Sequence, residues 1–422
     1  MARILYTILY YAITPFIFIR LKRRAKQAPA YSKRWGERLG YFPPPEKTGG
    51  FWVHAVSMGE TIAIAPLVRK IQQAYPDLPV TITTMTPTGS AQVKALFGES
   101  VFHVYVPYDT PGAVQRFLDK VRPTLCLIVE TELWPNLIHY SHQRQIPIII
   151  ANARLSEKSA KGYASLSRLT REMLNKIAVV AAQGSVDGER FVSLGLSRDK
   201  LEITGNVKFD LHVSDELRQK SAQLRSAWGE ERPVWIAAST HDGEDELILD
   251  AFAQIRPQRP DLLLAIVPRH PERFDRVANL CRARNFTVAR RSRNEPVNVD
   301  TDIMLGDTMG ELLALYGASD VAFVGGTLVD TGGHNFLEPA AFGVPIVSGP
   351  SVFNFAQISA ALIEAGALRL VQPEELAKNV AEMLGPNIHR GMREAALEVI
   401  DENRGAEQKL FDLVQRVIAT TV

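Results

Sequence analysis

At 422 residues the chain is long for one core and comfortable for two domains. Hydrophobic residues make up 46% and charged residues 22%, a globular composition that excludes a disordered or low-complexity chain. The net charge of +2 hides an asymmetry: Arg20, Lys22, Arg23, Arg24, Lys26, Lys33, Arg34 and Arg38 face only Glu37 in that stretch. No aromatic or Gly-rich RNA-binding pattern accompanies the basic residues, which argues against a nucleic-acid partner. Cys126 and Cys281 lie far apart in apolar surroundings. They read as buried, reduced thiols, which suits the cytoplasm, and neither makes a metal signature.

In chain order, Ile4 to Ile19 is apolar except for Thr7 and Thr14, with Pro15 as a candidate kink. The run is short of the roughly 20 residues a bilayer core needs. It is not a secretory signal, because the basic cluster comes after it and no small-residue cleavage site precedes that cluster. Tyr6, Tyr10, Tyr11, Phe16 and Phe18 give it the aromatic content of an interfacial anchor. The positive flank keeps the rest of the chain on the cytoplasmic side and offers contacts to anionic lipid heads. A hydrophobic helix packed on the protein itself is the alternative.

After Pro43-Pro44-Pro45 comes Gly49-Gly50 and the apolar run Phe51-Trp52-Val53-His54-Ala55-Val56, a buried strand. Ser57-Met58-Gly59 breaks the extended pattern, and Ile62, Ile64, Ala65, Val68 and Ile71 then recur at helical spacing. A strand, a tight turn and a helix N-terminus is where an α/β fold presents its chemistry. Glu60, in the first helical turn, is either a general base kept ionised by the helix dipole or a cap for first-turn amides.

Strand-like and helix-like segments then alternate. Pro79–Thr84, Val101–Val106, Leu125–Val129, Ile146–Ala151 and Val179–Ala182 read as strands with helices between them, hence a parallel doubly wound sheet. Residues 205–231 contain a polar linker, after which Val234–Ala238, Leu262–Val267, Asp320–Val324 and Val344–Val347 open a second βα series. A last helical stretch, about Arg390 to Ile418, is long enough to reach back over the first domain. The expected architecture is α/β: two Rossmann-like domains facing a cleft. The divisions are 1–24 (membrane anchor and basic collar), 25–212, 213–390 and a C-terminal helix in 391–422.

No G-x-x-x-x-G-K-[ST] and no strand-linked G-x-G-x-x-G is present, so a P-loop NTPase or a plain dinucleotide oxidoreductase is poorly supported. Instead, three clusters fall where strands meet helices: Pro268-Arg269-His270, Asp307-Thr308-Met309-Gly310-Glu311, and Gly325-Gly326-Thr327 with Gly332-Gly333-His334-Asn335-Phe336-Leu337-Glu338. Glycines let backbone N–H groups approach a phosphate, an Arg adds charge-assisted bonds and a Glu can hold ribose hydroxyls. Each cluster alone also reads as a surface turn, a capped helix start or a loop. Their joint placement points to a bound nucleotide. No Asp-x-Asp that chelates Mg²⁺ sits at a strand end, so a donor needing no metal or other cofactor is expected.

Several motifs together resemble the Kdo transferases of Gram-negative bacteria. They are His54-Ala55-Val56-Ser57-Met58-Gly59-Glu60, Glu130-Thr131-Glu132-Leu133-Trp134-Pro135, Asn152-Ala153-Arg154-Leu155-Ser156, Pro268-Arg269-His270, Gly306 to Glu311 and Gly333 to Pro339. The resemblance runs the whole chain. It implies a GT-B glycosyltransferase, acceptor domain first and nucleotide domain second, that moves 3-deoxy-D-manno-oct-2-ulosonic acid (Kdo) from CMP-Kdo to lipid IVA. Carried onto matching positions, it implies Glu60 as the base, with Glu130 and Lys208 stabilising the transition state. It assigns CMP binding to Pro268, Arg269, Met309, Gly310, Glu311, Asn335, Phe336, Leu337 and Glu338. It also implies a cytoplasmic-face, inner-membrane location among phospholipids, in lipopolysaccharide synthesis. The other readings are a GT-B UDP-sugar transferase or epimerase, and a non-catalytic nucleotide- or lipid-binding envelope protein.

Overall fold

The computed structural model describes residues 2–26, 28–211 and 213–420; residue His212, where a domain boundary was expected, lies outside it. The chain divides into two compact units, Met1–Asp210 with Arg404–Val422, and Leu211–Asn403.

In the first unit the strands are β1 (Phe51–His54), β2 (Val80–Thr84), β3 (Phe102–Tyr105), β4 (Leu125–Val129), β5 (Ile148–Ala153), β6 (Val179–Ala182) and β7 (Leu201–Ile203). They form one parallel sheet in the order β3-β2-β1-β4-β5-β6-β7. Phe51 of β1 sits opposite Val80 on one side and Leu125 on the other. Alternate residues feed opposite faces, because side chains along a strand point to opposite sides. Phe51 and Val53 join Ile64, Leu67 and Ile71 of the helix Met58–Ala74, while Trp52 packs with Phe117 and Ile128 on the other face.

The second unit repeats the scheme with β8 (Val234–Thr240), β9 (Leu263–Pro268), β10 (Val288–Arg290), β11 (Ile303–Leu305), β12 (Val321–Val324), β13 (Ile346–Ser348) and β14 (Leu368–Leu370). Its parallel order is β10-β11-β9-β8-β12-β13-β14. Each sheet has a central reversal of strand order, between β1 and β4 and between β8 and β12, and in the second sheet β10 and β11 are also exchanged at the edge. Open α/β sheets place their ligands at the carboxyl ends of the strands at such a switch point.

The central strands match the sequence reading within a residue or two. The edge strands β7, β10 and β14, and β11 beside β10, did not register in it. Each is only three residues long, and β7, β10 and β14 are not buried throughout, whereas the equally short β13 is and extends the apolar run Val344–Val347. The expected single C-terminal helix is two, Pro386–Asn403 and Ala406–Ala419. Gly405 takes a left-handed conformation (φ 91°) between them. The Asp210 carboxylate accepts the N–H groups of Gly405 at 2.6 Å and Glu407 at 2.5 Å, fixing a fresh helix start. Leu410, Phe411, Leu413 and Val414 of the last helix then complete the face that buries Phe51 and Val53.

The N-terminal helix runs Ala2–Arg24 and continues through Pro15. Arg3, Tyr6, Thr7, Tyr10, Thr14, Ile17, Phe18 and Leu21 are half-buried or buried at helical spacing, while Ile4, Leu5, Ile8, Leu9, Ile13, Phe16 and Ile19 are exposed. The inner face is pinned to the first unit: Arg3 Nη1 donates to Asn136 Oδ1 (2.9 Å), Tyr10 meets Trp134, and Phe18 meets Trp35 and Tyr108. The helix is long and apolar enough to cross a membrane by length and composition. Its packing lays one face on the protein and leaves the other an apolar stripe. Arg34 and Arg38, counted with the basic stretch, are committed to the protein instead. Arg34 bonds Ser90 and Glu37, and the buried Arg38 lies over the Tyr105 ring and donates to Met85 O.

Candidate active site

In the first unit, β1 ends at His54 and Ser57 caps the next helix. The Glu60 N–H donates to Ser57 Oγ (3.3 Å), the Ser57 hydroxyl donates to Glu60 Oε1 (2.8 Å), and the Val56 N–H donates to Glu60 Oε2 (2.7 Å). Glu60 is therefore part of a reciprocal cap. Its proton affinity is nevertheless raised, to a pKa of about 7. Burial is the largest cause, opposed by the Ser57 and Val56 hydrogen bonds and reinforced by the charges of Glu130 and Glu132. The dipole expected to keep Glu60 ionised is outweighed, since desolvation of a carboxylate exceeds a terminal-dipole effect of roughly 0.3–1 kcal/mol. A carboxyl poised near neutrality is what general-base chemistry favours.

Across the switch point, β4 delivers Glu130 in a left-handed conformation (φ 60°), with its N–H donating to Ala151 O at 2.8 Å. A non-glycine residue there is uncommon and strained, and such strain concentrates at working sites. Lys208, on the short turn Val207–Phe209, brings Nζ to 3.0 Å from Glu130 Oε1. Glu132 next door accepts the Trp134 indole N–H at 2.7 Å, and burial raises its proton affinity.

Two residues that place Lys208 had no assigned role in the sequence reading. Asn152, left-handed at φ 55° and fully buried, accepts the Val207 N–H through Oδ1 (3.1 Å). Asn206 accepts the Lys208 N–H at 3.0 Å. The visible signal was an amide closing an otherwise apolar strand, a place where Asn tolerates the left-handed region.

In the second unit, Pro268 ends β9 and the Arg269 N–H donates to Thr240 O (3.0 Å). Met309 is exposed and Gly310 is left-handed at φ 82°. Glu311 is held by Arg291 (3.1 and 3.0 Å) and Lys220 (2.9 Å), and the Thr308 hydroxyl also donates to it. These partners, Arg291 first, pull its pKa down to about 2, so it stays a carboxylate. Asn335 caps the helix Leu337–Ala341, accepting the Leu337 N–H (3.1 Å) and donating to Glu338 (3.2 Å). Burial raises Glu338. Phe336 and Leu337 have fully buried side chains, so at this site they present backbone alone.

The sequence reading passed over the end of β8. It carries Glu244, fully buried, whose carboxylate accepts the N–H groups of His241 (2.8 Å), Gly326 (2.7 Å), Thr327 (3.0 Å) and Leu328 (3.0 Å). One side chain thus holds together the loops after β8 and β12. His241 and His334 stack with Nε2 atoms 2.8 Å apart, and His270 meets His241 edge-on. Burial lowers both members of the pair, His334 to about 4, so at neutral pH the contact joins two neutral rings. A Cβ on Gly325 would lie 2.5 Å from Ser239 O, so only glycine permits this approach of β12 to β8.

The two parallel, doubly wound seven-stranded sheets define a GT-B type glycosyltransferase fold. A UDP-GlcNAc 2-epimerase from Neisseria meningitidis shares that fold with a TM-score of 0.59, at 13% identity over 87% of this chain and 100% of the other. Residues 33–211 match the family described as 3-deoxy-D-manno-octulosonic-acid transferase (kdotransferase). The chain is 46% identical to a 3-deoxy-D-manno-octulosonic acid transferase of Haemophilus influenzae over the full length of both, and 35% identical to one of Bordetella pertussis over 98% and 99%. It belongs to the 3-deoxy-D-manno-octulosonic acid transferase family.

Proposed function

We propose that this chain transfers Kdo from CMP-Kdo to lipid IVA with inversion, at the cytoplasmic face of the inner membrane, as a step of lipopolysaccharide synthesis. Glu60 takes the proton from the acceptor hydroxyl as it attacks. The anomeric carbon of Kdo is tertiary and carries a carboxylate, so positive charge develops there in the transition state. Glu130 and Lys208 act as one ion pair beside that charge, fixed in place before the reaction. In the second unit Arg269 and the backbone around Met309-Gly310-Glu311 and Asn335-Phe336-Leu337-Glu338 hold CMP. Loss of CMP leaves a phosphate monoester whose charge Arg269 and helix-terminal amides can meet.

The observation that carries this reading is Glu60: a carboxyl raised to about 7 by burial, yet held by the Ser57 hydroxyl and the Val56 N–H. Single-turnover mixing of detergent-solubilised protein with CMP-Kdo and lipid IVA tests it, with CMP and lipid mass both measured. Wild type gains Kdo mass and releases CMP, whereas Glu60→Gln binds CMP and does neither. CMP release by the variant at the wild-type rate would remove Glu60 as the base.

A further inference from the structure

The first unit contains a cavity of about 300 Å³ whose walls include Tyr6, Glu132, Trp134, Tyr163, Leu166 and Met173. Tyr6 belongs to the N-terminal helix, while Tyr163 and Met173 belong to the helices Glu157–Ala164 and Ser167–Leu174. Leu166, between those two helices, is 58% exposed. Leu5 and Leu9, on either side of Tyr6 in sequence, are 64% and 55% exposed and belong to the helix's outward apolar stripe. The wall also includes Thr131 and Glu132, the residues directly after Glu130.

Part of the polar surface in this wall is already engaged. Glu132 accepts the Trp134 N–H, and the Thr170 hydroxyl donates to Tyr163 O at 2.9 Å. Apolar and aromatic side chains, among them Leu133, Trp134, Leu166, Leu169 and Met173, supply the larger part of the wall, which favours an apolar occupant. The helix that supplies Tyr6 also carries the stripe suited to a bilayer surface, so the cavity is bounded both by that helix and by the segment that directly follows Glu130.

We propose that this cavity receives one acyl chain of the lipid acceptor, entering past Leu166. The inference rests on the lipid-acceptor reading above. It makes the N-terminal helix a wall of the acceptor site as well as an anchor. Each acyl methylene withdrawn from water is worth about fourfold in affinity.

The test uses the full chain in detergent micelles with two acceptors, lipid IVA and its fully deacylated disaccharide bisphosphate, in binding and in turnover. Leu166→Trp fills the mouth from an exposed position, and Leu166→Ala leaves it open. Wild type favours the acylated acceptor by a hundredfold or more. Leu166→Trp cuts that ratio at least tenfold, while Leu166→Ala changes it threefold or less. An unchanged ratio in Leu166→Trp, with both acceptors still turned over, overturns the inference and leaves the transferase reading standing. If neither acceptor is turned over, the transferase reading falls and quenching decides the cavity. That arm measures Trp134 emission, as wild type minus Trp134→Phe, with lipid IVA brominated on its acyl chains. Quenching by this lipid supports the cavity as an acceptor subsite. No quenching, or equal quenching by brominated phosphatidylglycerol, overturns it.

Discussion

Lys208 Nζ lies 3.0 Å from Glu130 Oε1, across 78 residues of sequence, with Glu130 delivered by a left-handed residue just past β4 and Lys208 by the short turn Val207–Phe209 beyond β7. Both side chains remain about one-third exposed, so the pair contributes little to stability, roughly 0–1 kcal/mol. Its value is positional. Lys208→Met should lower kcat by about 10²–10³, the usual cost of removing one preorganised charge-stabilising group, while shifting the melting temperature by no more than a degree or two. Steady-state kinetics beside a thermal melt checks both; a large fall in stability with kcat retained would make the pair structural.

Glu60 gives a pH prediction. As a base it works only when deprotonated, so kcat/KM should fall about tenfold per pH unit below its pKa of about 7 and level off above it. Because the folded state raises this pKa above its ordinary 4.5, the group favours folding fully below pH 4.5, and that contribution is lost as pH rises through 7. Glu60→Gln should therefore match wild type more closely at pH 4 than at pH 8, where the variant is the more stable by on the order of 1 kcal/mol. Urea titrations at the two pH values measure it. Greater stability of wild type at pH 8 would sink the burial argument.

Asn152 holds the Lys208 turn from within a left-handed conformation. Asn152→Ala loses the bond to the Val207 N–H and incurs left-handed strain, together about 2–3 kcal/mol. Asn152→Gly loses the bond but not the strain, and should recover part of that stability. Both variants should lose activity, because Lys208 is no longer held. Chemical denaturation with single-turnover rates separates the two effects: recovered stability without recovered rate is the expected pattern for glycine.

Glu244 meets four backbone N–H groups from two loops. Removing it strands buried donors, which cost about 1–3 kcal/mol each before relaxation. Glu244→Ala should destabilise the protein by about 3 kcal/mol or more and weaken CMP binding at least tenfold, as the loops after β8 and β12 separate. Glu244→Gln, which retains one acceptor oxygen, should fall between. Calorimetric CMP titration beside denaturant melts checks this, and intact CMP affinity in a destabilised Glu244→Ala would detach the carboxylate from the donor site.

The central strands and the fold class were legible because strands buried on both faces read as continuous apolar runs, such as Leu125–Val129 and Leu263–Pro268. The family was legible because its motifs cluster at strand ends, where a few residues carry the chemistry. The tertiary structure decided what depends on neighbours distant in sequence. Burial, a sum over surrounding elements, set the proton affinity of Glu60 against the local dipole. The Asp210 carboxylate and Gly405 divided a helical pattern that reads as unbroken. The pairing of Glu130 with Lys208, and the gathering of two loops by Glu244, arise from strand order, which no local spacing encodes.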